Sequence, residues 1–262
     1  MDYQTLDISI TGTVATVTLN RPDLRNAFNE HSIAELALAF DELGQNELVR
    51  AIVLAANGPA FCAGADLNWM KKMAGFSRDE NHADALRLAD MLYTIYRCPR
   101  PVVAKVQGDC YAGGMGLVAA CDIVVASEAA NFCLSEAKLG LIPATISPYV
   151  IKAMGEQAAR RYFLSAERFD SREAKRMGLA HEVVPPEALD ETVAGIVATL
   201  CRNSPHAVRE AKKLVRDMAG RAVDEALLAD TASRIAEIRA SDEAREGVAA
   251  FLEKRKPSWL EN

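Results

Sequence analysis

A buried-type strand that breaks at a glycine and runs into a cluster of small residues constrains this chain more than any other feature. Residues 101–107, Pro-Val-Val-Ala-Lys-Val-Gln, read as the strand, and Gly108 ends it. Ala112, Gly113, Gly114, Met115 and Gly116 follow, then a short apolar segment, Leu117 to Cys121, and a second strand, Asp122 to Ala126. Ten residues beyond that strand stands Glu136, within Cys133-Leu-Ser-Glu-Ala-Lys138. Glycines after a strand let a backbone approach a ligand closely, and a helix that starts there points free N–H groups outward. Gly114-Met-Gly-Leu-Val-Ala119 also fits the loose dinucleotide pattern GxGxxA. A helix opening there must end before Asp122, after about two turns, which is too short for an ordinary crossover helix.

A second small-residue turn resembles the first in its setting. Arg50 to Ala56 reads as a buried strand, Asn57-Gly58-Pro59 as a turn, and Phe61-Cys-Ala-Gly-Ala-Asp66 leads into a helix from Leu67 to Met73. Two helix-opening turns can aim two backbone N–H groups at one point. Such a pair forms an oxyanion hole, worth roughly 3 to 4 kcal/mol per donor. Glu136 lies in a mainly apolar stretch, where a carboxyl has a raised pKa and can exchange protons near neutrality. The plainer reading of Glu136 is a surface glutamate or the partner of a helix cap.

Other chemistries find less support. There is no GxSxG nucleophile elbow, and His31, His82, His181 and His206 lack partners or metal spacing. Six cysteines, at 62, 98, 110, 121, 133 and 201, form no CxxC pair, so reduced thiols in a cytoplasmic core and no bound metal are expected. The acidic amino-terminal stretch lacks the apolar segment of a secretory signal. No apolar run reaches the roughly 18 residues needed to span a bilayer. A net charge of −6 over 262 residues argues against nucleic acid as the main partner.

Along the chain, residues 5–10 and 13–19 alternate as a hairpin about Thr11-Gly12. Ile33, Leu36, Ala37, Phe40 and Leu43 mark one face of a helix from Glu30 to near Gly44. Residues 79–96 read as a helix with Ala85, Leu88, Ala89, Leu92 and Ile95 inward. Residues 147–166 are mostly helical. Ser171 to Met177 forms a short helix with a Ser N-cap and Gly178 as its stop, and Glu182 to Val184 a short strand. Beyond Glu187 helix follows helix, with breaks at Ser204-Pro205, Gly220 and Ser241. The class is α/β, with a unit of two strands and a helix suggested at 5–44 and again at 50–96. The helical tail either packs on a neighbouring subunit or caps its own core.

Taken in order, Asn20-Arg-Pro, Arg25-Asn-Ala27, Phe61-Cys-Ala-Gly-Ala-Asp-Leu67, the stretch 102–122 ending Ala-Cys-Asp, Ser135-Glu-Ala-Lys-Leu-Gly-Leu-Ile-Pro143, Ser171-Arg-Glu-Ala and Phe251-Leu-Glu-Lys-Arg-Lys256 resemble the crotonase (enoyl-CoA hydratase/isomerase) superfamily. The resemblance spans nearly the whole chain. It implies a crotonase-like spiral of ββα units over residues 1–200, holding the CoA and acyl pocket, and a C-terminal all-helical region over 201–262 that makes trimers or hexamers. It implies a CoA thioester as substrate and no separate cofactor. By position, Ala65 and Gly113 would supply the oxyanion donors and Glu136 the acid–base group. Arg25, Ala27, Ala63, Asp66 and Leu67 would lie along the CoA. Phe251 and Lys254 would reach the CoA of a neighbouring subunit.

Two departures qualify the resemblance. Hydratases of this family carry two glutamates twenty residues apart; the second matches Glu136, but the first falls on Gly116, leaving space or water where a side chain would project. Relatives have a glycine run after Pro143, where this chain has Ala144-Thr-Ile-Ser-Pro148. One carboxylate can serve a syn hydration, or shuttle a proton between the α- and γ-carbons as a Δ3,Δ2-enoyl-CoA isomerase. A decarboxylase or a non-catalytic acyl-CoA binder also fits. The wording of 64–73, 113–121 and 132–149 is similar to bacterial hydratases of 3-methylglutaconyl-CoA and its isohexenyl homologue. For such a substrate Met115, Gly116, Lys71 and Tyr149 would line the acyl pocket, and Lys71, Lys72 or Arg97 would meet a distal carboxylate.

Overall fold

A computed structural model describes residues 3–260 of the chain. Strands β1 (Leu6–Thr11) and β2 (Val14–Leu19) form the expected antiparallel hairpin, closed at the Thr11–Val14 pair with Gly12 at φ 58°. Helix α1 (Glu30–Gln45) follows, its N-cap Asn29 accepting from the N–H groups of His31 and Ser32. Its apolar stripe places Ile33, Leu36, Phe40 and Leu43 in the core. Each such side chain contributes roughly 1.5 to 3 kcal/mol on burial.

From β3 (Ala51–Ala56) onward the chain repeats one corner. A long strand in a large sheet turns into a three-residue strand in a second sheet. β3 leads to β4 (Ala60–Cys62), then to helices α2 (Leu67–Met73) and α3 (Arg78–Arg97). β5 (Val102–Val106) leads to β6 (Asp109–Tyr111) and α4 (Gly113–Ala120); β7 (Ile123–Ser127) leads to β8 (Asn131–Cys133). Stacking the corners brings backbones very close: a Cβ at Gly108 would sit 2.1 Å from the Pro59 carbonyl oxygen. Helices α5 (Ser147–Met154) and α6 (Glu156–Ser165), strand β9 (Arg168–Asp170), helix α7 (Ser171–Met177) and strand β10 (Glu182–Val184) complete the α/β part. The large sheet runs β1-β2-β3-β5-β7-β10, parallel from β2 on, and the small one β4-β6-β8-β9. The suggested repeat is therefore uneven. The first unit keeps both strands in one sheet, whereas the later units split theirs between two.

The central strands are buried on both faces, which explains their unbroken apolar runs. Ile52, Leu54, Val102 and Ala104 face the main core with α1, α3 and α4. Ala51, Val53, Ala55, Val103 and Val125 face helix α8 (Leu189–Arg202) through Leu189, Val193 and Val197. Thus α8 caps its own core, and the division drawn at residue 200 falls in its last turn. The remaining helices, α9 (Pro205–Met218), α10 (Glu225–Ala240) and α11 (Asp242–Leu252), bury only Leu227 and Ala250. They expose Val215, Leu228, Val248 and Phe251. Among the described residues no helix is long and apolar enough to cross a membrane.

Two local readings change. On α3 the buried positions are Asp84, Met91, Leu92 and Ile95, and Ala85 is exposed. Asp84 is tolerated inside because Arg87, one turn on, pairs with it at 2.9 Å. The α7 cap is Asp170, whose carboxylate accepts from the Glu173 N–H, so Ser171 is the first helical residue; Gly178 ends the helix at φ 89° as expected.

Candidate active site

The site begins at a bridge between two irregular segments. Arg25 and Asn26 both adopt positive φ, at 50° and 53°. The buried Asn26 side chain holds this bend: its oxygen accepts from the Arg21 N–H, and its amide donates to the carbonyls of Asn57 and Ala60. The Ala63 N–H donates to the Arg25 carbonyl, the Phe28 N–H to Gly64 and the Asp66 N–H to Phe28. Phe28 thus pairs with the residues on either side of Ala65. In such a parallel bridge the Ala65 N–H faces away from Phe28, and among the described residues it has no acceptor within the protein.

The second donor lies across a close contact. A Cβ on Gly64 would stand 3.0 Å from the Ala112 Cβ and 3.9 Å from the Gly113 nitrogen. Ala112 is held at φ 47°, ψ −122°, a conformation that costs a non-glycine residue on the order of 1–3 kcal/mol. Its N–H donates to the Cys133 carbonyl at 2.8 Å, and its carbonyl accepts from Met115. The strained cap turns α4 so that Gly113 is the first helical residue, with a free N–H. The Phe28 ring lies against the bare Gly113 Cα; a Cβ there would come within 2.3 Å of Phe28 Cζ. Phe28 in turn meets Trp69 of α2, ring centroids 6.1 Å apart.

The bond from Ala112 to Cys133 also positions the acid–base candidate. Three residues past Cys133, Glu136 opens a short 3-10 turn, 136–139, closed by Gly140 at φ 73°. Its Oε2 is buried with no hydrogen-bond partner. Burial pushes the Glu136 carboxyl above its ordinary value, the hydrogen bond from its own N–H opposing this only in part. The arrangement joins two free N–H donors with one carboxyl that can hold a proton nearer neutrality.

Other sequence-derived positions divide. Arg25 and Leu67 are exposed, and Ala63 is half-buried. Ala27 is buried, its carbonyl accepting from Arg21. The Asp66 side chain is buried and engaged within the protein: its carboxylate caps α2 through the N–H groups of Asn68 and Trp69 and pairs with Arg21 at 2.8 Å. Met115 is corrected; its side chain is fully buried in the core, because that face of α4 packs inward. Tyr149 belongs elsewhere. It meets Tyr96 edge-on at 5.4 Å and lines a cleft with Cys121, His181 and Arg216, at the C-terminal end of α4 rather than the end bearing Gly113.

Of the cations, Lys72 is taken by Glu30 at 2.7 Å. Arg97 lies over the Tyr93 ring in a cleft with Asp41 and Asp217, which contains none of the site residues. Lys71 is exposed and forms no ion pair among the described residues. Phe251, in the last turn of α11, and Lys254, just past its end, lie at the surface, Phe251 at 82% exposure.

Gly116 is the largest correction. No space is left beside it: a Cβ would meet Ile146 Cγ2 at 2.3 Å and Leu92 Cδ2 at 3.5 Å. The two departures in the sequence are therefore one structural event, a residue of the altered 144–148 segment seated where a side chain at 116 would go. Sequence reasoning did not single out Arg21, Asn26, Phe28, Trp69 or Ile146. Arg21 and Asn26 left a signal within Asn20-Arg-Pro and Arg25-Asn-Ala27, Trp69 within 64–73, and Ile146 as part of the altered segment.

The enoyl-CoA hydratase/isomerase family pattern matches residues 9–262. The chain belongs to that family. An enoyl-CoA hydratase/isomerase (crotonase) structure from Legionella pneumophila is 45% identical over 97% of this chain and 98% of that one, with a TM-score of 0.93. An enoyl-CoA hydratase structure from Shewanella pealeana is 42% identical over 98% and 96% of the two chains, with a TM-score of 0.95. The mevalonyl-coenzyme A hydratase sidH of Aspergillus fumigatus is 34% identical over 94% of this chain and 91% of its own length. This member of the enoyl-CoA hydratase/isomerase family is an enzyme with the crotonase fold, and its substrates are acyl-CoA thioesters.

Proposed function

We propose that the chain hydrates a branched 2-enoyl-CoA, with Glu136 as its one acid–base group. The observation that carries the reading is the pair of free N–H donors, Ala65 and Gly113, on turns in contact with each other and tied by one hydrogen bond to the strand before Glu136. The donors would hold the thioester oxygen and stabilise the charge that develops there as an enolate forms. Glu136 takes a proton from water as the water oxygen bonds to the β-carbon. The same carboxyl then returns that proton to the α-carbon, giving the β-hydroxyacyl thioester. The raised pKa suits a group that must accept a proton and give it back.

The acyl group proposed is 3-methylglutaconyl, or its isohexenyl homologue. Support comes from the sequence likeness around 64–73 and 132–149 and from the mevalonyl-coenzyme A hydratase relative, whose named thioester also carries a methyl group on its β-carbon. Lys71, exposed at the end of α2, is the remaining cation for the distal carboxylate. CoA would run along Arg25, Ala63 and Leu67. Phe251 and Lys254 would serve the site of a neighbouring subunit in a trimer or hexamer built through α9–α11.

A second reading, the Δ3,Δ2-isomerase, is favoured by the closed space beside Gly116, since isomerisation needs one carboxylate. Mass spectrometry of the purified protein with a panel of enoyl-CoA esters separates the two. Gain of one water on 3-methylglutaconyl-CoA is the expected result. Hydration of crotonyl-CoA with no action on 3-methylglutaconyl-CoA would sink the substrate proposal. A shifted double bond without mass change would replace hydratase by isomerase.

A further inference from the structure

Gly116 lies one helical turn beyond Gly113, so a side chain there would project from the same face of α4 as the Gly113 Cα, the face that the Phe28 ring covers at Gly113. The position is occupied from outside the helix. Ile146 Cγ2 and Cβ stand 2.3 and 2.9 Å from where the Gly116 Cβ would be, so side chains at 116 and 146 in these places exclude each other. Ile146 is held firmly. It is 2% exposed, it stands at the N-terminus of α5, and its carbonyl accepts from the N–H groups of Tyr149 and Val150. A β-branched side chain there has few rotamers and makes a stiff surface. Leu92 of α3 adds a second apolar group beside it.

We propose that Ile146 is the specificity-determining wall of the acyl site. Resting on the enoyl-CoA reading above, it fills the place of a second carboxylate with hydrocarbon and limits the size of the acyl group admitted beside Glu136. The wall is apolar, so it favours alkyl substituents near the reacting carbons and gives water no polar anchor on that side. A single methylene in such a wall discriminates by about 10- to 200-fold.

The test compares crotonyl-CoA with the bulkier cinnamoyl-CoA on parent, Ile146→Val and Ile146→Ala. The ratio of the two kcat/KM values does not depend on how much of a preparation is folded. It should shift toward cinnamoyl-CoA by about tenfold or more in Ile146→Ala, with a smaller shift in Ile146→Val. Gly116→Ala should lose activity by crowding Ile146, and Gly116→Ala/Ile146→Ala should regain it. An unchanged ratio in Ile146→Ala, or Gly116→Ala as active as the parent, overturns the proposal. A parent that turns over neither ester but hydrates 3-methylglutaconyl-CoA leaves the function reading intact, and one that acts on none of the three overturns that reading instead. The wall is then tested by the Kd ratio of butyryl-CoA and 3-phenylpropionyl-CoA on the same variants, with the same shift expected and an unchanged ratio overturning it.

Discussion

Arg21 Nη2 meets Asp66 Oδ2 at 2.8 Å directly after the residue that carries one of the two free N–H groups. Both side chains are largely buried, and Arg21 also donates to the Ala27 carbonyl. The pair therefore clamps the 25–28 segment to the 63–66 turn and fixes the direction of the Ala65 N–H. Burial raises the Asp66 carboxyl, but hydrogen bonds from Arg21 and from the Asn68 and Trp69 N–H groups outweigh it and hold the group below its usual range. The stability this contributes is present above the unfolded-state pKa, about 3.9, and is lost as pH falls through the lower folded value. Asp66→Ala should cost about 2 to 4 kcal/mol, from a lost cap and an unpaired Arg21. It should lower kcat by about 10- to 100-fold through misplacement of the donor. Asp66→Asn keeps the cap and should lose less of both. Urea unfolding and steady-state kinetics on the three proteins check this.

The contact between Phe28 and Gly113 gives a second expectation. Gly113→Ala keeps the N–H but places a methyl group within 2.3 Å of Phe28 Cζ, so the ring or the helix must move. Displacing one oxyanion donor should lower kcat by about 10²- to 10³-fold. Gly113→Ala/Phe28→Leu, which makes room without restoring glycine, should recover at least tenfold of that loss. If the double variant is no better than the single, Gly113 matters for something other than this close approach.

The long elements were legible because burial writes itself into sequence. β3 and β5 are covered on both faces, and their apolar runs read correctly; α1 carries one apolar stripe, and its residues fall inside as spaced. The three-residue strands β4, β6, β8 and β9 are too short to show a period, so the second sheet was invisible. Its corners depend on backbone contacts such as Gly108 against Pro59. The two small-residue turns were readable as N–H donors because glycine and alanine leave the backbone uncovered. The wall beside Gly116 was not, because residues 116 and 146 meet only through the packing of α5 on α4. An absent side chain in the sequence read as empty space, whereas close packing fills such space from whatever segment can reach it.

Asp122 and Lys212 tie the helical tail to the core. Lys212 Nζ lies 2.6 Å from Asp122 Oδ2 and donates to the Arg100 carbonyl, while the Val102 N–H donates to the same Asp122 oxygen. Burial raises the Asp122 carboxyl above its ordinary value even though Lys212 and its hydrogen bonds pull it down. Lys212→Met should therefore leave a poorly solvated carboxylate and cost about 2 to 4 kcal/mol at neutral pH. The deficit should narrow at mildly acidic pH as Asp122 takes up a proton. Asp122→Asn/Lys212→Met should recover part of it. Urea unfolding of the single and double variants at the two pH values decides the matter; additive losses would mean that the pair does not couple.

Glu136→Gln should separate the chemical role of the carboxyl from its effect on stability. Gln has the same shape but cannot take a proton from water, so kcat should fall by about 10²- to 10⁴-fold while binding of a saturated acyl-CoA is retained. The stability should move the other way. The folded state holds the Glu136 proton more tightly than the unfolded chain, because burial disfavours the ionised form. Wild-type stability therefore falls as pH rises from the unfolded pKa, about 4.3, through the higher folded value. The neutral amide escapes that penalty. Its Tm should exceed that of the parent at neutral pH, and the difference should vanish below the ordinary carboxylate range. In the parent, the acidic limb of kcat should sit above that same range, since the base must be ionised to act. Thermal melts of both proteins across pH, beside a pH–rate profile of the parent, test the two effects together. A variant less stable than the parent at neutral pH would show that the orphaned Oε2 is better satisfied in the folded protein than its burial implies.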